Sequence, residues 1–103
     1  MTEKEKIKKL RYLREQMENQ TGNYRRYLIR TYEYILKDSN VDNRGWSKTT
    51  LNKMVDYVYD GEPDHMAREL VVEYKNTLRD LGYIRNVKEN GEWHTYIIKE
   101  LDF

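Results

Sequence analysis

The run Pro63-Asp64-His65-Met66-Ala67-Arg68-Glu69-Leu70-Val71-Val72-Glu73-Tyr74-Lys75-Asn76-Thr77-Leu78-Arg79-Asp80-Leu81, continued by Gly82-Tyr83-Ile84 and, beyond an Asn90-Gly91 pair, by Trp93-His94-Thr95-Tyr96-Ile97-Ile98, decides how this chain folds. Ala67, Leu70, Val71, Tyr74, Leu78 and Leu81 share one face at helical spacing, so the pattern predicts an amphipathic helix over 64–81. Pro63 suits its first turn, where a missing N–H costs nothing. Gly82 is the residue expected just past a helix C-terminus. Asn90-Gly91 is a strong type I′ hairpin turn. With that turn central, Lys88 faces Trp93, Asn86 faces Thr95 and Ile84 faces Ile97 on one sheet face. Tyr83, Arg85, Val87, His94, Tyr96 and Ile98 make up the other. The expectation is that Ile84 and Ile97 turn inward.

Upstream, a helix is predicted over about 23–38, with Asn23 as a cap. Tyr24, Leu28, Ile35 and either Tyr27 or Thr31 line its inner face. The polar run from Asp38 to Gly45 reads as a loop, and Trp46 as part of a short strand. Ser47 reads as the N-cap of a helix over about 48–59, with Leu51, Met54, Val55 and Val58 on its apolar side. Residues 2–18 look helical too, with Ile7, Leu10, Leu13 or Arg14, and Met17 recurring at three- and four-residue steps. Gln20-Thr21-Gly22-Asn23 breaks that pattern. The tail Glu100-Leu101-Asp102-Phe103 is a candidate to close the core. The expected class is mainly α with a small β-hairpin (α+β). Its units are an N-terminal basic helical arm at 1–22 and a domain at 23–103.

The order helix, short strand, helix, helix, strand, strand over 23–99, with Leu81-Gly82-Tyr83-Ile84 leading into the Asn90-Gly91 hairpin, resembles a winged helix-turn-helix domain preceded by an N-terminal helix. The resemblance implies that the helix at 64–81 enters a DNA major groove by its exposed side. It also implies that the hairpin serves as a wing against the minor groove or the backbone.

Bulk properties bound this reading. The chain has 103 residues, 38% apolar and 36% charged, with 10 Tyr and 2 Trp against a single Phe. Such a core is small and leans on tyrosines that bury a ring and keep a polar tip wet. Only Ala67 supplies the best helix former, so the helices depend on packing. The absence of Cys excludes disulfides, thiol catalysis and the common structural zinc sites. A charged start without an apolar h-region, and no long apolar run, lead to the expectation of a cytoplasmic protein with no membrane contact.

The net charge of +1 hides a gradient: residues 1–37 carry ten Lys/Arg against five Asp/Glu, while 83–103 carry three against four. Basic charge therefore sits in the first third, at Lys6, Lys8, Lys9, Arg11, Arg14, Arg25, Arg26 and Arg30. The hairpin and tail are slightly acidic.

No catalytic constellation stands out. His65 and His94 fall on different elements, and the five glycines are isolated at turns rather than grouped in a phosphate loop. The expectation is a protein that is not an enzyme and needs neither metal nor cofactor. DNA recognition has more support. On a helical wheel, His65, Arg68, Val72, Lys75, Asn76 and Arg79 form one exposed stripe, and Glu69, Glu73 and Asp80 form the next.

Arg bonds a guanine edge in bidentate fashion, Asn bonds adenine and Val touches a thymine methyl, so His65, Arg68, Val72 and Asn76 are the expected base contacts. Ser47, Lys48, Thr49, Thr50, Lys75, Arg79, Lys88 and Trp93 are the expected DNA-backbone contacts. The same charges also fit a solvated helix face with i,i+4 pairs. Trp46 and Trp93 read more simply as packing residues than as stacking platforms.

The leading expectation is a small sequence-specific transcriptional regulator that binds double-stranded DNA as a homodimer. Its dimer arm would be built on Ile7, Leu10, Leu13 and Met17. The alternative is a winged-helix module that binds a protein partner instead of DNA. Size and composition would also suit a phage, viral or mobile-element protein acting on host machinery. A weaker third reading is RNA or single-stranded DNA binding, with Tyr12, Tyr27, Tyr32 and Tyr34 alternating with arginines as stacking platforms.

Overall fold

The structure, a computed structural model, describes residues 4, 5, 8, 23–61, 63 and 65–101. Among the described residues three α-helices, α1 (Asn23–Asn40), α2 (Leu51–Val58) and α3 (Ala67–Asp80), pack together and carry a two-stranded antiparallel hairpin, β1 (Ile84–Glu89) and β2 (Glu92–Ile97). Lys4, Glu5 and Lys8 are helical and exposed. The arm residues Ile7, Leu10, Leu13 and Met17 lie outside the described residues, as do Asp64, Asp102 and Phe103.

Helix α1 buries Leu28, Thr31, Tyr32, Ile35 and Ser39, a single stripe at three- and four-residue steps. Both candidates for its fourth inner position are used: Thr31 is fully buried and Tyr27 packs at the edge of the core. The buried Thr31 and Ser39 hydroxyls bond back to the Tyr27 and Ile35 carbonyls, at 2.8 and 2.6 Å, so neither is stranded. Helix α2 contributes Met54, Val55 and Val58, and α3 contributes Ala67, Val71, Tyr74, Thr77 and Leu78. Leu28, Ile35 and Leu78 are sealed from solvent. Truncating any of them to alanine costs about 2–5 kcal/mol.

Tyrosines complete this interior. Tyr24 meets Tyr74 edge-on at 5.3 Å, Tyr27 packs on Tyr59 at 4.6 Å, and the Tyr59 and Tyr74 hydroxyls lie 3.3 Å apart. Burial first, then the Tyr59 hydroxyl, pushes the Tyr74 phenol far above its ordinary range. Thr77, absent from the expected core, is buried because its hydroxyl pairs with Tyr24 Oη at 3.0 Å.

Both later helices begin three residues after their expected starts. Ser47 is not an N-cap. Its hydroxyl donates to Asp38 Oδ2 at 2.6 Å, the Lys48 N–H donates to the same oxygen at 2.9 Å, and Thr49 adopts a left-handed φ of 47°. Thr50 is still extended, with φ −62° and ψ 115°, and α2 opens at Leu51. Pro63 likewise lies outside α3 rather than in its first turn. The Met66 carbonyl, accepting from the Leu70 N–H at 3.0 Å, starts that helix. Ahead of it, Asp60 and Gly61 take positive φ, and Arg30 ties the turn to α1 by bonding the Tyr57 carbonyl at 3.0 Å and pairing with Asp60.

The far end of α3 follows expectation. Gly82 has φ 86°, its N–H reaches the Arg79 carbonyl at 3.0 Å, and the Tyr83 N–H reaches the Leu78 carbonyl at 2.9 Å. This is a Schellman closure, with Tyr83 and Leu78 both in the core. Asn90 and Gly91 have φ of 51° and 80°, as a type I′ turn requires.

The hairpin register is Ile84 to Ile97, Asn86 to Thr95 and Lys88 to Trp93. Ile84 and Thr95 are buried, and Ile97 packs on the core beside them. The expected short strand at Trp46 is a single bridge one residue later, where Ser47 and Thr95 exchange hydrogen bonds of 2.8 and 2.9 Å. In the tail, the Lys99 carbonyl accepts from Tyr32 Oη at 3.0 Å and Leu101 packs on the core. Among the described residues, no helix is long and apolar enough to cross a membrane.

Candidate nucleic-acid interface

The exposed side of α3 carries two stripes. Arg68 and Val72 are exposed, with Val72 at 44%, Arg79 is largely exposed, and Lys75 and Asn76 are half-buried on the same side. Glu69 and Glu73 lie beyond them, exposed, with Asp80 half-buried. The basic stripe faces α2. Arg68 bonds the Asn52 side chain, and Lys75 Nζ donates to Thr49 Oγ1 at 3.0 Å. The acidic stripe lies toward the α1 side, next to the Thr77–Tyr24 contact. His65 is exposed but sits in the turn before α3, so helical phase does not place it on the stripe as expected.

Lys75 is the least comfortable charge on this surface. Its hydrogen-bond partner is a neutral hydroxyl, and among the described residues no carboxylate pairs with it. Burial first, then the neighbouring Arg79 charge, holds its ammonium below the ordinary lysine range. Thr49 is strained as well, since a left-handed backbone at a β-branched residue costs about 1–3 kcal/mol. Its hydroxyl donates to the Lys48 carbonyl at 2.8 Å while accepting from Lys75.

Of the four loop residues expected to meet backbone phosphates, Lys48 and Thr50 are exposed and Thr49 is half-buried. Ser47 is withdrawn from that set, because it is fully buried and its hydroxyl is spent on Asp38. Burial raises the Asp38 carboxyl, but the Ser47 hydroxyl, the Lys48 N–H and Arg44 outweigh it and hold the group below its usual value.

The hairpin sorts its charges by face, a consequence of strand alternation about a two-residue turn. Glu89 and Glu92 both belong to the face that carries His94 and Tyr96. Tyr96 Oη donates to Glu89 Oε1 at 2.6 Å, which raises the phenol's pKa, and the two His94 ring nitrogens lie 3.5 Å from Glu89 and Glu92 carboxylate oxygens. The opposite face, with Ile84, Asn86, Lys88, Trp93, Thr95 and Ile97, carries Lys88 as its sole charge. The apparent acidity of the hairpin is thus confined to one side.

The two tryptophans part company. Trp46 packs as expected: it stacks on His94 with ring centroids 3.5 Å apart, and the Arg44 guanidinium carbon lies 4.8 Å from its ring. Arg44 in turn pairs with Asp38 at 3.1 Å. Trp93 does not pack, and remains 60% exposed beside Lys88. The Asp38–Arg44–Trp46–His94 chain escaped the sequence reading, since its members come from a helix, the loop after it and the distant strand β2. The parity of Glu89, Glu92 and His94 about Asn90-Gly91 was the one signal that pointed to part of it.

Among the described residues, no group of three or more His, Cys, Asp or Glu side chains is arranged to hold a metal ion. Comparison with known proteins brings no relative: no family model, no curated protein and no solved structure matches the chain.

Proposed function

We propose that this protein is a small DNA-binding regulator of winged-helix type, acting by binding rather than catalysis and reading a major groove with α3. The observation that carries the reading is the Lys75–Thr49 contact, which joins the cationic stripe of α3 to the loop preceding α2 in one continuous polar surface. Support for the winged-helix assignment comes from the element order and from the Ser47–Thr95 bridge, which adds a third, minimal strand to the hairpin.

In this reading Arg68, Val72 and Asn76 approach base edges, with His65 at the entry to the helix. Lys48, Thr49, Thr50, Lys75, Arg79 and Lys88 meet the backbone. Arg25, Arg26 and Arg30 belong to the basic first third, which would add sequence-independent attraction. A homodimer held by the N-terminal arm is part of the proposal.

The test is a gel shift on mixed duplex DNA at low salt, repeated at higher salt. Binding that weakens steeply with salt is expected, since bound cations release counterions. The triple variant Arg68→Ala/Lys75→Ala/Arg79→Ala should abolish it, and unchanged binding by that variant refutes the site. Light scattering with and without residues 1–22 tests the dimer arm.

The acidic stripe of Glu69 and Glu73, exposed along α3, favours a second reading in which the same fold docks a protein. No duplex affinity at low salt, together with capture of one defined protein, would decide for it.

A further inference from the structure

Trp93 is the most exposed large apolar side chain on the described surface, at 60%. Among the described residues it makes no ring stacking, cation–π or side-chain hydrogen-bond contact, whereas Trp46 is held by both His94 and Arg44. An indole left bare on a hairpin contributes little to the fold.

Its surroundings are selective. Lys88 is its direct cross-strand partner, and both hairpin glutamates occupy the other face, where Tyr96 and His94 engage them. The bridge partner of Thr95, Ser47, lies two residues before Thr49, the residue whose hydroxyl accepts from Lys75. A flat apolar ring beside the Lys88 cation, on a hairpin face without carboxylates, matches a ligand that is itself a flat ring on a polyanionic backbone.

We propose that Trp93 is a stacking residue for a nucleobase. Its indole packs on a base exposed at a flexible or unpaired step at the edge of the bound duplex, while Lys88 holds an adjacent phosphate. Every base offers a π-face, so the contact adds affinity with little sequence preference. Unstacking is easiest at a mismatch, so a mismatched step under the wing binds more tightly than a paired one. This inference rests on the duplex-binding reading above.

The experiment uses the full chain. Trp46→Phe leaves Trp93 as the only tryptophan, and its emission is followed while matched and singly mismatched duplexes are added. Expected are quenching on binding and a preference for the mismatched duplex. In the wild-type background, Trp93→Ala should bind about tenfold more weakly, with the mismatch preference gone and the salt dependence unchanged, because no charge is lost. Lys88→Ala, by contrast, should make the salt dependence shallower by about one counterion.

Duplex binding with unaltered Trp93 emission and full affinity in Trp93→Ala overturns the stacking role and leaves the duplex reading standing. Failure of the wild-type chain to bind either duplex at low salt removes both. A defined protein partner lost on Trp93→Ala, without DNA affinity, assigns the indole to protein docking and overturns the proposal.

Discussion

The His94 imidazole lies flat against the Trp46 indole, with ring centroids 3.5 Å apart and planes 11° from parallel. The contact joins the segment before α2 to the outer face of the hairpin, and it buries a ring that would otherwise project into water. Trp46→Ala is therefore expected to cost about 1–3 kcal/mol, less than a full core truncation because the indole is only half-buried. Trp46→Phe keeps a stacked ring and should cost less. Urea unfolding measures both, and faster amide exchange at His94 and Thr95 in Trp46→Ala would locate the loss in the hairpin.

Asp38 links stability to acid. Its carboxyl is held below the usual value in the folded chain despite burial, so its contribution is fully present above the unfolded value and is lost as pH falls below about 4. Asp38→Asn removes the charged acceptor for the Ser47 hydroxyl, the Lys48 N–H and Arg44. A loss of about 1.5–3 kcal/mol at neutral pH is expected. The variant should also show a shallower stability decline on the acid side, read from melting temperatures across pH.

Lys75 makes the opposite trade. Its charge is disfavoured in the folded chain, and that penalty is relieved as pH rises through the lowered folded value and is gone above the ordinary lysine pKa of about 10.4. Lys75→Met is predicted to be neutral or stabilising by about 0.5–1 kcal/mol at neutral pH. The same variant should weaken duplex binding. A melting temperature that falls substantially in Lys75→Met would show that the ammonium serves the fold.

Gly82 tests the joint between α3 and the hairpin. At φ 86°, with open space where a Cβ would point, a side chain meets only backbone strain. Gly82→Ala should therefore destabilise by about 1–2 kcal/mol without disturbing packing. Chemical denaturation with an unchanged m-value is the expected signature.

Periodicity and turn chemistry carried most of the architecture. The apolar faces of α1, α2 and α3, the Gly82 closure and the whole hairpin register could be read from local patterns, because each is set by residues within a few positions of one another. The helix starts were not legible. Ser47 has the right chemistry for a cap, but a competing acceptor, Asp38, reaches it from the previous helix. Thr77 was missed because its partner Tyr24 lies in another helix. For the candidate interface, the basic stripe of α3 was legible from helical phase. The approach of Thr49 to Lys75 was not, since it depends on how two helices dock.

The Ser47–Thr95 bridge has a consequence for the order in which the molecule comes together. A type I′ hairpin closes a two-residue loop, and hairpins form in about 1–10 μs without help from the rest of the chain. The bridge joins residues far apart in sequence, and its loop-closure entropy is offset only once α1, α2 and α3 have docked. The loop that presents Thr49 to Lys75 is therefore among the last parts to assemble. On that order the polar surface proposed to meet DNA is completed only when the three helices have docked, and amide protection at Ser47 and Thr95 should appear after that of the hairpin turn.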